Sequence, residues 1–130
     1  MAAQAVRRVL DLGAYLSFVG TEVSVVIDRP AGSRHPSYEL VYPLPYGWIP
    51  DTVAGDGEPV DAYIVGASRP QARYFGRCVA VVERRDDVEM KLIVSVDRME
   101  RGEAELTRLV AFQERFFTSR LHMIASRTIG

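Results

Sequence analysis

The stretch GDGEPVDAYIV, from Gly55 to Val65, joins an acidic loop to a short segment with the composition of a β-strand. Pro59 has no N–H to give to a β-ladder, so the chain is predicted to form a loop that ends at Asp61, where the strand begins. The loop and the strand entry together present three carboxylates, those of Asp56, Glu58 and Asp61.

Five short segments are rich in β-branched and aromatic residues and are separated by Gly, Pro and Asp. They are EVSVVID (Glu22 to Asp28), YELVY (Tyr38 to Tyr42), DAYIV (Asp61 to Val65), RCVAVVER (Arg77 to Arg84) and MKLIVSV (Met90 to Val96). Five strands of this length are typical of a small barrel. The sequence therefore predicts a mainly β fold of the α+β class.

Helical periodicity occurs towards both ends of the chain. Near the N-terminus the apolar residues at helical spacing are Val6, Val9, Leu10 and Leu16. Gly20 is predicted to end this helix. A second helix is predicted to open at Glu103 and Glu105, since acidic residues at its start and basic residues near its end suit the helix dipole. Its apolar stripe is Leu106, Leu109, Val110 and Phe117, and its late basic residues are Arg115 and Arg120.

Length and charge limit the possible functions. The 130 residues fit one domain that covers 1–130, with a single modest core. Sixteen Lys and Arg against 17 Asp and Glu give a net charge of −1, so the bulk charge calls for neither nucleic acid nor an anionic membrane. Cys78 is the single cysteine of the sequence, which excludes an intramolecular disulfide. The sequence has no uncharged run long enough to predict a membrane-spanning helix. We therefore expect a protein of the cytoplasm.

The acidic loop alone has two interpretations. It is a solvated turn, in which Gly supplies backbone freedom and Asp makes local hydrogen bonds, or it is a metal site. It lacks the alternating ligand positions of an EF-hand loop.

A second acidic cluster lies in ERRDDVEMK, from Glu83 to Lys91. Asp86 and Asp87 fall in a predicted turn, and Glu89 and Lys91 lie two residues apart at the entry of a strand. Residues two apart in a strand share a face, with Cα atoms about 6.6 Å apart, so both side chains are predicted to face one cavity. A carboxylate beside an ammonium suits a metal-bound phosphate. The alternative is a hairpin turn with an ion pair on its flank.

Basic and aromatic residues form a third candidate element. In IDRPAGSRHP, Arg29 and Arg34 offer planar forks for phosphate oxygens. In YPLPYGWIP, the phenol of Tyr46 is a candidate contact for a ligand oxygen. The alternatives are a surface loop with scattered basic residues and a set of core rings.

Taken in order, IDRP, YPLPYGWIPDT, GDGEPVDAYIVG, GRCVAVVERRDD and EMKLIV resemble the soluble family I inorganic pyrophosphatases. The resemblance runs from about Val23 to Val96, and its most specific part is the acid-Gly-acid-Pro-Val-Asp string. It implies a five-stranded OB-like barrel with peripheral helices, Mg²⁺-dependent hydrolysis of pyrophosphate to two phosphates, and a homo-oligomer.

The resemblance also implies a role for each candidate residue. Asp56 and Asp61 would bind metal, and Glu58, in place of a shorter aspartate, would orient or deprotonate the attacking water. Glu89 would be another metal ligand, with Asp86 or Asp87 beside it. The residues that would hold phosphate oxygens are Lys91, Arg29 and Tyr46. Such roles explain the clustered carboxylates, because two divalent cations neutralise their mutual repulsion.

The chain departs from the family pattern near its C-terminal end. The family commonly has Tyr and Lys three and four residues after a Phe pair, whereas Phe116 and Phe117 are followed there by Arg120 and Leu121. Arg120 is therefore a candidate substitute in substrate binding. The altered pair supports an alternative function, a phosphate or diphosphate binder without activity or a hydrolase of another diphosphate. A nucleic-acid module would need stacking aromatics in a basic groove, and the acidic loops oppose it.

Overall fold

The computed structural model describes residues 11–54, 57–85 and 89–123 of the chain. Within these ranges the helices are α1 (Leu12–Leu16) and α2 (Glu103–Glu114). The strands are β1 (Glu22–Arg29), β2 (Tyr46–Ile49), β3 (Val60–Val65), β4 (Arg73–Arg84), β5 (Met90–Ser95) and β6 (Ser119–His122). Neither of the described helices has the length and apolar character needed to cross a membrane.

Five of these strands close into a barrel. Their order is β1–β2–β3–β5–β4, and a pairing of β4 with β1 completes the ring. Strands β3 and β5 run parallel, and the other pairs in the ring are antiparallel. The sixth strand, β6, lies outside the ring and pairs with the second half of β4. The predicted five-stranded barrel with two helices is therefore confirmed.

One predicted strand is wrong. The segment Tyr38–Tyr42 does not form a strand, and the isolated bridge Arg34↔Val41 is the pairing recorded for it. Its alternation is genuine, because Leu40 and Tyr42 are buried whereas Glu39, Val41 and Pro43 are exposed. Those side chains pack on the barrel from a loop. The barrel strand at this point is β2 instead, after Pro43 and Pro45, which have no N–H to donate.

The predicted helices also differ from the observed ones. Helix α2 ends at Glu114, and Arg120, predicted near the end of that helix, lies in β6. The last residues of the described chain pair with the open edge of β4, which gives their backbone groups partners that a longer helix would have supplied internally. At the other end, Asp11 caps α1 by accepting from the Ala14 N–H. The predicted helix positions Val6, Val9 and Leu10 lie outside the described residues.

Buried apolar side chains form two cores. The inner core fills the barrel and includes Tyr15 of α1 at one end. Its other members include Val25, Val60, Ala62, Ile64, Cys78, Val81, Leu92 and Val94. The outer core lies on the opposite face of the strands, beneath α2. Its members include Tyr42, Tyr46, Tyr63, Val65, Ala80, Val82, Ile93, Leu106 and Val110.

A β-bulge in β4 decides which of its side chains reach the outer core. Cys78 pairs with Val94 and Ala80 pairs with Ile93, so Val79 is the extra residue. Before the bulge the even-numbered Cys78 faces the inner core, whereas after it the even-numbered Ala80 and Val82 face the outer core. Because side chains alternate along a strand, Arg84 then lies on the outer face with them.

Gly47 is required where β2 crosses close to β1. A Cβ on Gly47 would lie 1.9 Å from the carbonyl oxygen of Val26 and 2.9 Å from the Cα of Ile27. Since these contacts are with backbone, Gly47→Ala is expected to lower the free energy of unfolding by about 2–3 kcal/mol. Urea-unfolding curves measure this change.

Gly13→Ala is the matched control, since the nearest atom to a Cβ there is Asp11 Oδ1 at 3.5 Å. Gly13 lies inside α1, and its replacement is expected to stabilise the protein by about 0.5–1 kcal/mol. An unchanged urea midpoint for Gly47→Ala would contradict the close approach of the two strands.

Candidate active site

A cavity of about 850 Å³ opens on the outer face of the barrel, beside the end of α2. Its lining combines charged groups from the strands with rings from the loop before β2 and from the chain after α2. The lining residues are Arg29, His35, Tyr38, Glu39, Leu40, Tyr46, Asp61, Arg84, Glu89, Lys91, Gln113, Phe116 and Phe117.

Lys91 lies at the centre of the charged group. Its Nζ donates to Asp61 Oδ2 at 3.1 Å, to Glu89 Oε2 at 3.0 Å and to Tyr46 Oη. Tyr46 Oη donates to the same Asp61 oxygen at 2.9 Å. Lys91 is 3% exposed and Tyr46 is 5% exposed. One cation is thus held between two carboxylates.

The strand register explains why these side chains meet. Asp61 on β3 lies opposite Lys91 on the parallel strand β5, and both lie two residues before members of the outer core. Tyr46 pairs with Tyr63, which lies two residues beyond Asp61. The Tyr46 ring therefore lies on the same face of the sheet as the Asp61 side chain. The prediction that Glu89 and Lys91 face one cavity is borne out geometrically.

The acidic loop is closed by the Thr52 hydroxyl and by backbone hydrogen bonds. The Thr52 hydroxyl donates to the Ile49 carbonyl at 2.6 Å and accepts from the Val60 N–H at 2.9 Å. The Glu58 carbonyl accepts from the Ala54 N–H at 2.6 Å, and Gly57 takes a φ of 87°, which favours glycine. These contacts fix the point at which β3 starts, and so the position of Asp61.

A second charged pair lies deeper, between Arg84 of β4 and Glu114 of α2. Arg84 Nε donates to Glu114 Oε1 at 3.0 Å and Nη2 donates to Oε2 at 2.8 Å. Each residue is 5% exposed. The guanidinium lies 3.7 Å from the centre of the Phe117 ring, and Nη1 lies 3.8 Å from Glu89 Oε1. This pair links the end of α2 to the carboxylate beside Lys91.

Buried hydrogen bonds continue from Glu114 across the outer core. Glu114 accepts from Tyr63 Oη at 2.6 Å, and Tyr63 Oη accepts from Gln113 Nε2 at 2.7 Å. Gln113 Oε1 accepts from Tyr42 Oη at 2.6 Å, and Tyr42 Oη accepts from Arg29 Nη1. The two arginines that line the cavity are therefore joined by one continuous network.

The electrostatic environment fixes the protonation of these groups. Burial, followed by the nearby carboxylates, raises the pKa of Tyr46 and of Tyr63 well above the ordinary value, so both phenols stay protonated and donate. Burial alone would raise the pKa of Glu114, but hydrogen bonds from Arg84, Ser119 and Tyr63 lower it. Burial alone would lower the pKa of Arg84, and its contacts with Glu114 raise it instead.

Five of the predicted site residues come together in the cavity: Arg29, Tyr46, Asp61, Glu89 and Lys91. Three others, Arg34, Glu58 and Arg120, are exposed and do not line it. The predicted ligands Asp56, Asp86 and Asp87 lie outside the described residues. Within ranges 11–54, 57–85 and 89–123, no group of three acidic, His or Cys side chains is arranged to hold a metal ion.

The sequence analysis missed Arg84, Gln113, Glu114, Tyr42 and Tyr63 as parts of the site. Helical spacing was an available signal for Glu114, because it follows Leu106 and Val110 at intervals of four on the buried stripe of α2. A carboxylate at such a position needs a buried partner. Arg84 gave no comparable signal, because only the bulge puts it on the outer face.

Fold and site together define a class, a small closed β-barrel with a buried group of cations and carboxylates on its outer face. The chain belongs to the inorganic pyrophosphatase family, since the family model described as "Inorganic pyrophosphatase" matches residues 21–119.

Relatives within this family share part of their length with the chain. It is 31% identical over 100 residues to an inorganic pyrophosphatase of Caulobacter vibrioides, covering 68% of this chain and 56% of the relative. It is 30% identical over 82 residues to an inorganic pyrophosphatase of Aquifex pyrophilus, covering 57% of this chain and 46% of the relative. The chain thus spans about half the length of the curated relatives it matches.

Solved structures show the same fold. The inorganic pyrophosphatase of Ehrlichia chaffeensis superposes with a TM-score of 0.60 at 20% identity, covering 82% of this chain and 88% of that one. The inorganic pyrophosphatase of Thermus thermophilus superposes with a TM-score of 0.53 at 19% identity, covering 88% and 86%. At this identity the likeness establishes the barrel alone.

Glu114→Gln tests the buried pair. The substitution removes the negative partner of buried Arg84 and is expected to cost about 3–5 kcal/mol in unfolding free energy at pH 7. Since the pKa of Glu114 in the folded protein lies below its ordinary value of 4.5, its contribution is present above that value and is lost as pH falls through the folded pKa. The difference between wild type and variant is therefore expected to shrink from pH 7 to about pH 3.

Denaturant unfolding at both pH values measures this difference. Glu103→Gln, at the exposed start of the same helix, is the control and is expected to stay within about 0.5 kcal/mol of wild type. An equal cost of Glu114→Gln at the two pH values would contradict the charged pair.

Proposed function

We propose that the protein hydrolyses inorganic pyrophosphate to two phosphates with Mg²⁺ as its cofactor. The observation that carries the proposal is buried Lys91 between Asp61 and Glu89, with Tyr46 above it, at the floor of the cavity. Membership of the inorganic pyrophosphatase family supports the same reaction.

The carboxylates of the floor fit a divalent cation. Asp61 and Glu89 converge on one cation, and their oxygens are the hard donors that Mg²⁺ prefers. With the Arg84–Glu114 pair beside Glu89 included, Lys91, Asp61 and Glu89 lie in a group with one net negative charge, so a further cation would be stabilised there. Asp56 and either Asp86 or Asp87 are proposed to complete the ligand set. When bound, Mg²⁺ would neutralise phosphate charge and lower the pKa of a water.

The chain's own residues would bind and orient the substrate. Lys91 of β5 and Arg29 of β1 both line the cavity and supply positive charge, and Tyr46 supplies a phenol that stays protonated. Glu58 is proposed to orient or deprotonate the attacking water. Arg34 and Arg120 stay proposed contacts for phosphate, although both are exposed in this chain.

The proposal also covers the oligomeric state, the cell compartment and the partners of the protein. A homo-oligomer in the cytoplasm, with no nucleic acid or membrane partner, agrees with the near-neutral charge of the chain and with its family.

Phosphate release from pyrophosphate across a Mg²⁺ titration tests the proposal. Wild type is expected to release phosphate with Mg²⁺ and none in chelator. Lys91→Met is expected to lower kcat/KM by about 10²- to 10³-fold, because a buried charge aimed at the substrate is lost. Arg77→Met, at an exposed surface pair with Glu22, is the control and should match wild type. No release by wild type at saturating Mg²⁺ would leave the alternative, a phosphate binder without activity.

Two acidic variants separate metal binding from water activation. Asp61→Asn removes a negative ligand and is expected to raise the Mg²⁺ concentration needed for half-maximal activity. Glu58→Gln is expected to keep that requirement and lose kcat by about 10²- to 10⁴-fold, the range of a general base. Steady-state kinetics over a Mg²⁺ series measures both. Wild-type turnover in Glu58→Gln would show that this carboxylate does not act on water.

A further inference from the structure

The cavity is larger than an inorganic diphosphate requires. Its volume of about 850 Å³ lies towards the upper end of cavities that enclose drug-sized organic ligands. Pyrophosphate is far smaller than such ligands. The charged floor, formed by Lys91, Asp61 and Glu89, is only one part of the lining.

The upper walls of the cavity are aromatic. In the loop before β2 the rings of His35 and Tyr38 lie 4.7 Å apart, and Tyr38 is 71% exposed. After α2, Phe116 is 65% exposed with the Arg115 guanidinium 5.0 Å from its ring centre, and Phe117 packs under the Arg84 guanidinium. Large rings held open to solvent at the mouth of a cavity are suited to a flat partner that covers them.

These walls suit a second phosphate poorly. Glu39 contributes a carboxylate to the loop side, and Gln113 contributes a neutral amide to the helix side. The cations of the described lining, Arg29, Arg84 and Lys91, all belong to the strands. A ligand that extends from the floor to the mouth therefore meets charge first and rings afterwards.

We propose that this site also takes nucleoside diphosphates, with the diphosphate on the charged floor and the base stacked on the rings of Tyr38 and Phe116. The inference rests on the proposed function, because it uses the same reaction. Water adds to the terminal phosphorus and the bridging P–O bond breaks on the side of that phosphorus. Inorganic phosphate and a nucleoside monophosphate leave, with the water proton released to solvent, and the divalent cation is the only other requirement.

Calorimetric binding to the full chain, with Mg²⁺ present, is the first test, and ADP and its reference ligand are both used in the calorimetry as α,β-methylene analogues, whose P–C–P bridge is not cleaved. Methyl diphosphate is the reference ligand, because it carries the diphosphate without a ring. ADP is expected to bind at least about fivefold more tightly, in line with one stacked base. Equal affinities for the two ligands would overturn the proposal that the aromatic walls bind a base.

Substitutions of the rings supply the second test. Tyr38→Ala and Phe116→Ala are each expected to raise the Kd for ADP by about 5- to 100-fold, and by a much smaller factor for methyl diphosphate. Phe75→Ala, 66% exposed on β4 and outside the described lining, is the control and should change neither Kd. An equal increase in Kd for both ligands would overturn the proposal that the base stacks on these rings.

Phosphate release separates this inference from the proposed function. Release from pyrophosphate, with no binding or cleavage of ADP, would overturn the inference and leave the proposed function intact. Ring-dependent ADP binding without release from either compound would overturn the proposed function and keep the ligand class. Release from both, with the ADP rate reduced by the ring substitutions, is the expected result.

Discussion

Arg84 and Glu114 bring opposite charges from β4 and α2 into contact at the wall of the cavity, in a place almost closed to water. Removing two ions from water costs several kcal/mol for each, which only good geometry and further hydrogen bonds offset. Both conditions hold, since the contact is bidentate and Tyr63 and Ser119 also donate to the carboxylate. Apolar side chains of equal volume would attach the helix as firmly. What the charges add is a fixed position for the end of α2, and with it for Phe117.

The bulge at Val79 makes this contact possible. Without the extra residue, the side chains of β4 would alternate between the two faces without interruption, and Arg84 would face the inner core like Cys78. With the bulge, Cys78 in the first half of β4 packs in the inner core, and Arg84 at the end of β4 lines the cavity. The parallel pairing of β3 and β5 complements this, because it brings the entries of both strands, Asp61 and Lys91, to the same end of the barrel.

Much of this architecture could be predicted from the sequence, because alternation and local motifs are short-range signals. Four strands and the meeting of Glu89 with Lys91 follow from residues close together in the chain. The segment Tyr38–Tyr42 misled because a loop that buries every second side chain has the alternation of a strand. The partnership of Arg84 with Glu114 was not predictable, since it spans 30 residues and depends on the bulge.

The two parts of the cavity come from different kinds of structure. Its charged groups lie mainly on or next to barrel strands, where ladder hydrogen bonds and the outer core hold them in place. Apart from Tyr46 on β2, its rings lie on the loop before β2 and on the turn after α2, where the backbone has fewer ladder partners and sequence change is generally tolerated. Under the proposed function, the strands of such a barrel hold the phosphate groups, and under the further proposal the choice of ligand depends on the rings. The buried network from Arg29 through Tyr42, Gln113 and Tyr63 to Glu114 runs beside both parts. Tyr42 stacks with His35 of the walls, and Arg84, which Glu114 holds, lies 3.8 Å from Glu89 of the floor.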